Sequence, residues 1–406
     1  MRLYWPEAYG EGIDCVGFNH AVMLLRKAVC DKITNVAAGA NYRVYCNLPW
    51  YHDPRGLRRE KLPILAYTMY ESSRVPSGWI RFLNKHTAIV VVPSEWCKSV
   101  FLSSGLKRPI FVLPLGLDTD RLPDCSKQSH RGEPYRFLWQ GVAYDPNGRK
   151  GVDVVVRAFQ ELKKEGKLAE EDELILKYRP YDKSLFVMDD VRTPSGLRYI
   201  QSDMPREKLL DLYRSVDCCV NPTHGEGFGL IPLEQMCMGK PVLVTDYSMD
   251  YVLEPYCIKL NFELKQSPVV WNHKHAYMSL NGLSYNLGGL QKDIKFLPKL
   301  LKMCNSRGRW DIFANMGNSI RSLQKRAGLF INPRRAPICL YQENPGVDAF
   351  VDVEDLKSKM MWCYNNRENA EDIGFMARNH VLKNWGLEKI VESFESFESW
   401  ERSLHA

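Results

Sequence analysis

The chain has no run of eighteen uninterrupted apolar residues, so no segment reads as a membrane-spanning helix. Its first residues, Met1-Arg2-Leu3-Tyr4-Trp5-Pro6-Glu7, carry no apolar stretch of the signal-peptide kind, and a cytoplasmic location is expected. None of the twelve cysteines forms a Cys-x-x-Cys pair, which argues for reduced core thiols over a disulfide frame or a zinc site. The neighbours Cys218-Cys219 lie in an apolar run and read as buried strand. His273 and His275 with Cys304 could be drawn as a zinc site, but their spacing fits no standard ligand pattern. Internal repeats and low-complexity tracts are missing too. What remains is a 406-residue chain, 45% hydrophobic and 25% charged, with the balance of a soluble globular protein and enough length for two domains.

Apolar strand-like runs alternate with helical patterns along this chain. Tyr42 to Leu48, Leu62 to Tyr67 and Thr87 to Val92 read as strands, and Phe18 to Val29 as a helix. A polar stretch from Asp118 to Pro134 is the candidate linker. A second set follows: strands at Arg136 to Gln140, Leu174 to Tyr178, Leu197 to Ile200, Cys218 to Asn221 and Pro241 to Thr245, with helices at Val152 to Lys164, Arg206 to Ser215 and Pro232 to Met238. Parallel strands with crossover helices are the economical arrangement. The expected fold is therefore α/β, two doubly wound domains facing a cleft, with ligands near the carboxyl ends of the strands.

The stretch that says most about chemistry is Gly225-Glu226-Gly227-Phe228-Gly229-Leu230-Ile231-Pro232-Leu233-Glu234. Its Gly-Phe-Gly core lets backbone amides approach a ligand, and the helix that follows offers unpaired N–H groups to an anion. Glu226 precedes the turn and Glu234 lies inside the helix, so both carboxylates can accept hydrogen bonds from hydroxyls of one bound molecule. Hydroxyls at both ends with phosphate between describe a nucleotide sugar. Arg149-Lys150-Gly151, just before the Val152 helix, places two cations beside free amides and suits a diphosphate; alone it would read as an exposed basic loop. Tyr9-Gly10-Glu11-Gly12 is a glycine-rich turn after an apparent first strand, and weak evidence by itself. Gln201-Ser202-Asp203-Met204-Pro205 ends another strand and could cup a base, its default reading being a helix-capping turn.

Together these residues make the chain similar to retaining glycosyltransferase family 4, of the two-Rossmann GT-B fold. The resemblance rests on Arg149-Lys150-Gly151-Val152-Asp153, Asp211-Leu212-Tyr213 with Asn221-Pro222, the Glu226 to Glu234 element, and Gly239-Lys240-Pro241-Val242. Val92-Pro93-Ser94-Glu95-Trp96 and Leu113-Pro114-Leu115-Gly116-Leu117-Asp118 fit it in the first half, and coverage is roughly residues 1 to 254 and 346 to 400. It implies an N-terminal acceptor-side domain over 1–120, completed by a C-terminal helix from 386 to 406, and a nucleotide-sugar-binding domain over 134–385. It implies that Glu226 contacts the donor sugar and Glu234 the ribose, that Arg149 and Lys150 hold the departing diphosphate, and that amides of Gly227, Phe228, Gly229 and Leu230 assist. Gly10 and Gly12 would close the donor site from the other domain, with Ser202 and Met204 near the base. No cofactor or metal is then required beyond the donor, for which a UDP-sugar such as UDP-glucose is the default; Asp118-Thr119-Asp120 imitates a metal-binding triplet but falls in the linker. Where many members carry a histidine phrase, this chain has Tyr67-Thr68-Met69-Tyr70-Glu71-Ser72-Ser73, which makes Glu71 the candidate for touching the acceptor.

The departure from the family lies between residues 256 and 345. That segment holds fourteen Lys or Arg against four acids, a net +10; the whole chain carries +7, which leaves −3 for the rest. Aromatics such as Trp271, Trp310, Phe313, Phe330 and Tyr341 are interleaved with the charges, a composition suited to a nucleic-acid partner. Apolar spacing at Leu290, Ile294, Leu297, Leu300 and Leu301 equally suits a packed helical subdomain with a solvated basic face. DNA bearing hydroxymethylated pyrimidines, as some bacteriophages make, is the expected acceptor. The rivals are a cell-surface polysaccharide or lipopolysaccharide acceptor, and a non-catalytic nucleic-acid-binding protein on the same scaffold.

Overall fold

In the computed structural model the described residues are 1–5, 23–46, 60–126, 133–142, 149–179, 190–201, 204–266 and 346–405, with three short strands between 269 and 285. The first sheet has six strands: β1 (Leu3–Tyr4), β2 (Ile33–Thr34), β3 (Tyr42–Cys46), β4 (Ile64–Tyr67), β5 (Ile89–Val92) and β6 (Ile110–Val112). All pair in parallel, in the order β2-β1-β3-β4-β5-β6. Every residue of β4 and β5 is buried, as a parallel sheet covered on both faces requires. Helix α1 (Ser77–His86) and helix α2 (Glu95–Ser103) connect the later strands, α2 starting where the Ser94 side chain accepts a hydrogen bond from the Cys97 amide at 3.1 Å.

The second sheet holds β7 (Arg136–Val142), β8 (Glu173–Arg179), β9 (Val191–Arg192), β10 (Leu197–Gln201), β11 (Cys218–Asn221), β12 (Val242–Thr245) and β13 (Ile258–Leu260). Its order is β13-β12-β11-β7-β8-β10-β9, parallel throughout except for the β9–β10 pair. The connecting helices are α3 (Val152–Lys164), α4 (Arg206–Ser215) and α5 (Leu230–Cys237). Val155, Phe159 and Leu162 recur at helical spacing on α3 and are fully buried with Phe137, Trp139, Leu174 and Val220. Each such side chain contributes about 1.5–3 kcal/mol by leaving water. The domain's Cys218 and Cys219 are both buried in β11, as the apolar run predicts.

Beyond β13 the chain enters β14 (Phe262–Gln266), passes three short antiparallel strands β15 (Val269–Trp271), β16 (Tyr277–Ser279) and β17 (Ser284–Tyr285), and returns as β18 (Val347–Val351), antiparallel to β14. Most of the basic segment 256–345, including His273, His275 and Cys304, lies outside the described residues. Helices α6 (Val353–Asn365), α7 (Arg367–Asn384) and α8 (Leu387–Ser403) complete the chain. Between α7 and α8 the chain crosses back to the first sheet. Leu117 pairs with Gly386 and its amide donates to the Trp385 carbonyl at 2.7 Å; a Cβ at Gly116 would sit 2.6 Å from the Gly386 carbonyl oxygen, so a side chain is excluded there. Helix α8 then buries Phe394 and Phe397, with Phe397 packed 5.3 Å from Phe111.

Strands β2, β6, β9 and β13 to β18 are absent from the sequence-based expectation. All but the five-residue β14 and β18 have two or three residues, too short for a periodic pattern to register.

Candidate active site

In the second sheet the strand order reverses between β7 and β11: successive strands leave β7 toward β8 on one side and β11 toward β12 on the other. The crevice outside the carboxyl ends of these two strands is where an open α/β sheet receives a ligand. Arg149 and Lys150 follow β7, and Thr223 to Glu226 follow β11. The first of these connections is built for close approach. Gly151 has φ +69°, and a Cβ there would overlap the Pro222 carbonyl, so the chain can pass only as glycine. The two connections are held together: the His224 amide donates to the Arg149 carbonyl at 2.7 Å and Thr223 Oγ1 lies 3.2 Å from the same oxygen, while Trp139 Nε1, from β7 itself, donates to the Lys150 carbonyl at 2.8 Å.

Glu226 is the centre of the cluster. Its Oε1 lies 2.6 Å from Lys150 Nζ and accepts a hydrogen bond from Thr223 Oγ1 at 2.9 Å, while Oε2 lies 3.4 Å from Arg149 Nη1. The same Arg149 nitrogen donates to the Gly225 carbonyl at 2.7 Å. Burial alone would push the Glu226 carboxyl up; Lys150 and Arg149 outweigh it and hold the group below the ordinary carboxylate value. The carboxylate is therefore ionised and its two cations are fixed.

The first domain closes directly on this cluster. Arg149 Nη2 stands 3.9 Å from Glu71 Oε1, in the loop after β4, and a Cβ on Gly225 would overlap the Glu71 carbonyl oxygen. Strand β18 runs along the seam: the Val347 carbonyl accepts from Ser72 Oγ at 3.2 Å, from the Ser73 amide at 3.3 Å and from Tyr247 OH at 3.2 Å, and the Val347 amide donates to Ser73 Oγ at 2.8 Å. Asp250 accepts from the Glu95 amide at the start of α2 at 2.8 Å. The chain thus returns from the basic segment beside Ser72 and Ser73, next to Glu71.

The remaining predicted positions divide. Gly229, at φ +87°, is the left-handed residue just before α5, whose first residue is Leu230. The Phe228 side chain points inward, packed 5.7 Å from both Trp385 and Tyr251. Gly227 is held from the first domain by Cys97 Sγ, 3.3 Å from its carbonyl oxygen. Glu234 is half-buried on α5; burial first, and then the charges of Glu226, Cys257 and Glu234, push the buried Tyr251 hydroxyl well above the ordinary phenol value. Met204 is half-buried after β10 and packs on the first core. Gly10, Gly12 and Ser202 lie outside the described residues. Asp118 is engaged with Lys27 at 2.6 Å and with Arg121 at 3.7 Å, and among the described residues no group of three metal-ligating side chains occurs.

Thr223, Trp139, Ser248 and Tyr251 belong to this cluster and were not anticipated. Thr223 is the residue a reader could have found, three positions before Glu226; the others reach the loop from strands or turns far off in sequence.

Residues 135–256 match the family model described as Glycosyl transferases group 1. The "Putative glycosyltransferase 45" of Sulfolobus islandicus filamentous virus (isolate Iceland/Hveragerdi) is 26% identical over 187 residues, 43% of this chain and 48% of the viral protein. The chain spans about half the length of that relative. Among solved structures, Anabaena Alr3699/HepE in complex with UDP and glucose superposes with TM-score 0.55 at 9% identity, covering 98% of this chain and 99% of its own. Sucrose-phosphate synthase from Thermosynechococcus elongatus gives 0.53 at 12% identity, covering 91% and 75%. The two parallel-sheet domains, the cleft between them and the returning C-terminal helix are the GT-B glycosyltransferase fold, and the group 1 match falls on the half that carries Arg149, Lys150, Glu226 and Glu234.

Proposed function

We propose that this chain is a glycosyltransferase that moves a sugar from a nucleotide-diphosphate sugar, UDP-glucose by preference, to a hydroxyl acceptor with retention of configuration. The observation that carries the reading is the convergence of Arg149 and Lys150 on the buried Glu226 carboxylate at the strand-order reversal. Departure of a nucleoside diphosphate builds negative charge. Cations already fixed in place stabilise that charge more than the ground state, and one such group is worth about 10²–10³ in rate. Glu226 binds the sugar hydroxyls, Glu234 the ribose, and the amides of Gly227 to Leu230 complete the diphosphate site. Gly10 and Gly12 cover it from the first domain, and Ser202 and Met204 border the base. The leaving phosphate assists removal of the acceptor proton, Glu71 lines the acceptor side, and the reaction proceeds without a metal because Arg149 and Lys150 meet the charge.

The acceptor is a polyanion: DNA carrying hydroxymethylated pyrimidines, held by the basic segment 256–345, after which β18 bonds to Ser72 and Ser73, the neighbours of Glu71. The modified base leaves the stack to bring its hydroxyl to the cleft. The test is incubation with a panel of nucleotide sugars and hydroxymethylated or plain DNA, followed by mass analysis of the nucleosides. Sugar on the hydroxymethyl base, abolished by Glu226→Ala and unaffected by EDTA, is expected. Donor turnover without any DNA product hands the acceptor role to a polysaccharide or lipopolysaccharide; DNA binding with no turnover of any donor leaves only the non-catalytic reading.

A further inference from the structure

Among the described residues, Ser248 is the only one other than glycine with a positive φ, at +65°. That conformation is strained for a residue with a Cβ and persists only where the surroundings hold it. Ser248 is buried, and its Oγ accepts a hydrogen bond from the Glu226 amide at 2.8 Å. The turn that carries it, just past β12, is braced on each side. Tyr247 OH donates to Val347, the Asp250 carboxylate accepts from the Glu95 amide of the first domain, and Tyr251 OH donates to the Gly229 carbonyl. The turn therefore grips the glycine-rich loop at Glu226 and again at Gly229.

We propose that Ser248 is a positioning residue for Glu226, its hydroxyl fixing the Glu226 peptide while Thr223 fixes the carboxylate, and that the left-handed backbone is retained for this contact. The inference rests on the glycosyl-transfer reading of the site. Glycine would adopt the same φ without strain, so a serine kept only for local folding would gain nothing from its side chain. With the amide fixed by Ser248 and Oε1 by Thr223 and Lys150, the carboxylate is aimed before any donor arrives. Pre-alignment of this kind acts on turnover more than on nucleotide affinity.

The experiment compares the full chain with Ser248→Gly, Ser248→Ala, Ser248→Asn and Glu226→Ala. Melting temperature, UDP affinity and turnover of UDP-glucose to UDP are measured, a readout that needs no assigned acceptor. Ser248→Gly is expected to melt at or above the parent temperature, to bind UDP unchanged, and to lose about tenfold in kcat, the size of one lost hydrogen bond. Ser248→Ala loses the bond and keeps the strain, so it melts lower and is equally slow. Ser248→Asn, whose residue tolerates left-handed backbone and offers a side-chain acceptor, recovers part of kcat. Parental kcat in Ser248→Gly alongside an inactive Glu226→Ala overturns the positioning role and leaves the glycosyl-transfer reading standing. A kcat loss that merely tracks a lowered melting temperature also overturns it, and a fully active Glu226→Ala overturns both.

Discussion

Lys150 Nζ lies 2.6 Å from Glu226 Oε1, with side chains only 18% and 9% exposed, so the cation proposed for the diphosphate is held in reserve by the carboxylate proposed for the sugar. Removing Lys150 while keeping Glu226 leaves a buried charge with Arg149 as its remaining partner. Lys150→Met should cost about 2 kcal/mol, below the full ~3–5 kcal/mol of a broken buried pair because Arg149 and Thr223 stay. Turnover of UDP-glucose should fall about 10²-fold or more. Adding Glu226→Gln should return most of the stability and none of the activity; denaturant melts and turnover assays on the two variants separate these effects.

The same cluster fixes an acid limb of stability. Burial raises the Glu226 pKa and Lys150 and Arg149 more than offset it, so the folded value lies below the ordinary 4.5. A depressed carboxylate stabilises the fold fully above its unfolded value, and that contribution is lost as the pH falls through the folded value. Parent and Glu226→Gln should therefore differ by the same melting-temperature gap at about pH 8 and about pH 6, with the gap closing below about pH 4. A gap that widens in acid would contradict the assignment of the ion pair.

Gly225 is a contact between domains. A Cβ there would overlap the Glu71 carbonyl, and neither partner is a flexible side chain that can swing away. Gly225→Ala should push the first domain off the cluster at a cost of about 1–3 kcal/mol, lengthening the Arg149–Glu71 approach. Small-angle scattering should report a larger radius of gyration for the variant. Donor turnover should fall while far-ultraviolet dichroism stays that of the parent.

How much of this was legible beforehand follows the range of each interaction. Helices Val152–Lys164 and Arg206–Ser215 and strand Cys218–Asn221 match their expected limits because local periodicity and capping decide them. Arg149, Lys150 and Glu226 could be singled out because a glycine-rich turn before a helix is a local pattern, though their mutual contact spans 76 residues and no spacing rule measures it. Ser248 could not be found, because its backbone angle is set by a partner 22 residues away and nothing in Tyr247-Ser248-Met249 marks a left-handed turn. The expectation for Phe228 concerns its backbone amide; that its ring packs 5.7 Å from both Trp385 and Tyr251 could not be read from the Gly-Phe-Gly pattern, because those partners lie 23 or more residues away.

The basic segment can be removed without opening the fold, because Gln266 stands directly opposite Val347 in the β14–β18 pair. Excising residues 268–345 and joining the strands through a short Asn-Gly turn keeps that register, Gly346 against Ser73, and the seam at Val347. The shortened chain loses a net charge close to the segment's +10 and should turn over UDP-glucose at the parental rate, since Arg149, Lys150 and Glu226 are untouched. Its affinity for duplex DNA should collapse, and with it the steep fall of affinity with salt that counterion release produces. Binding titrations between about 50 and 200 mM salt measure both quantities at once. A shortened chain that still binds DNA with the parental salt slope would move the acceptor site off this segment and onto the cleft itself.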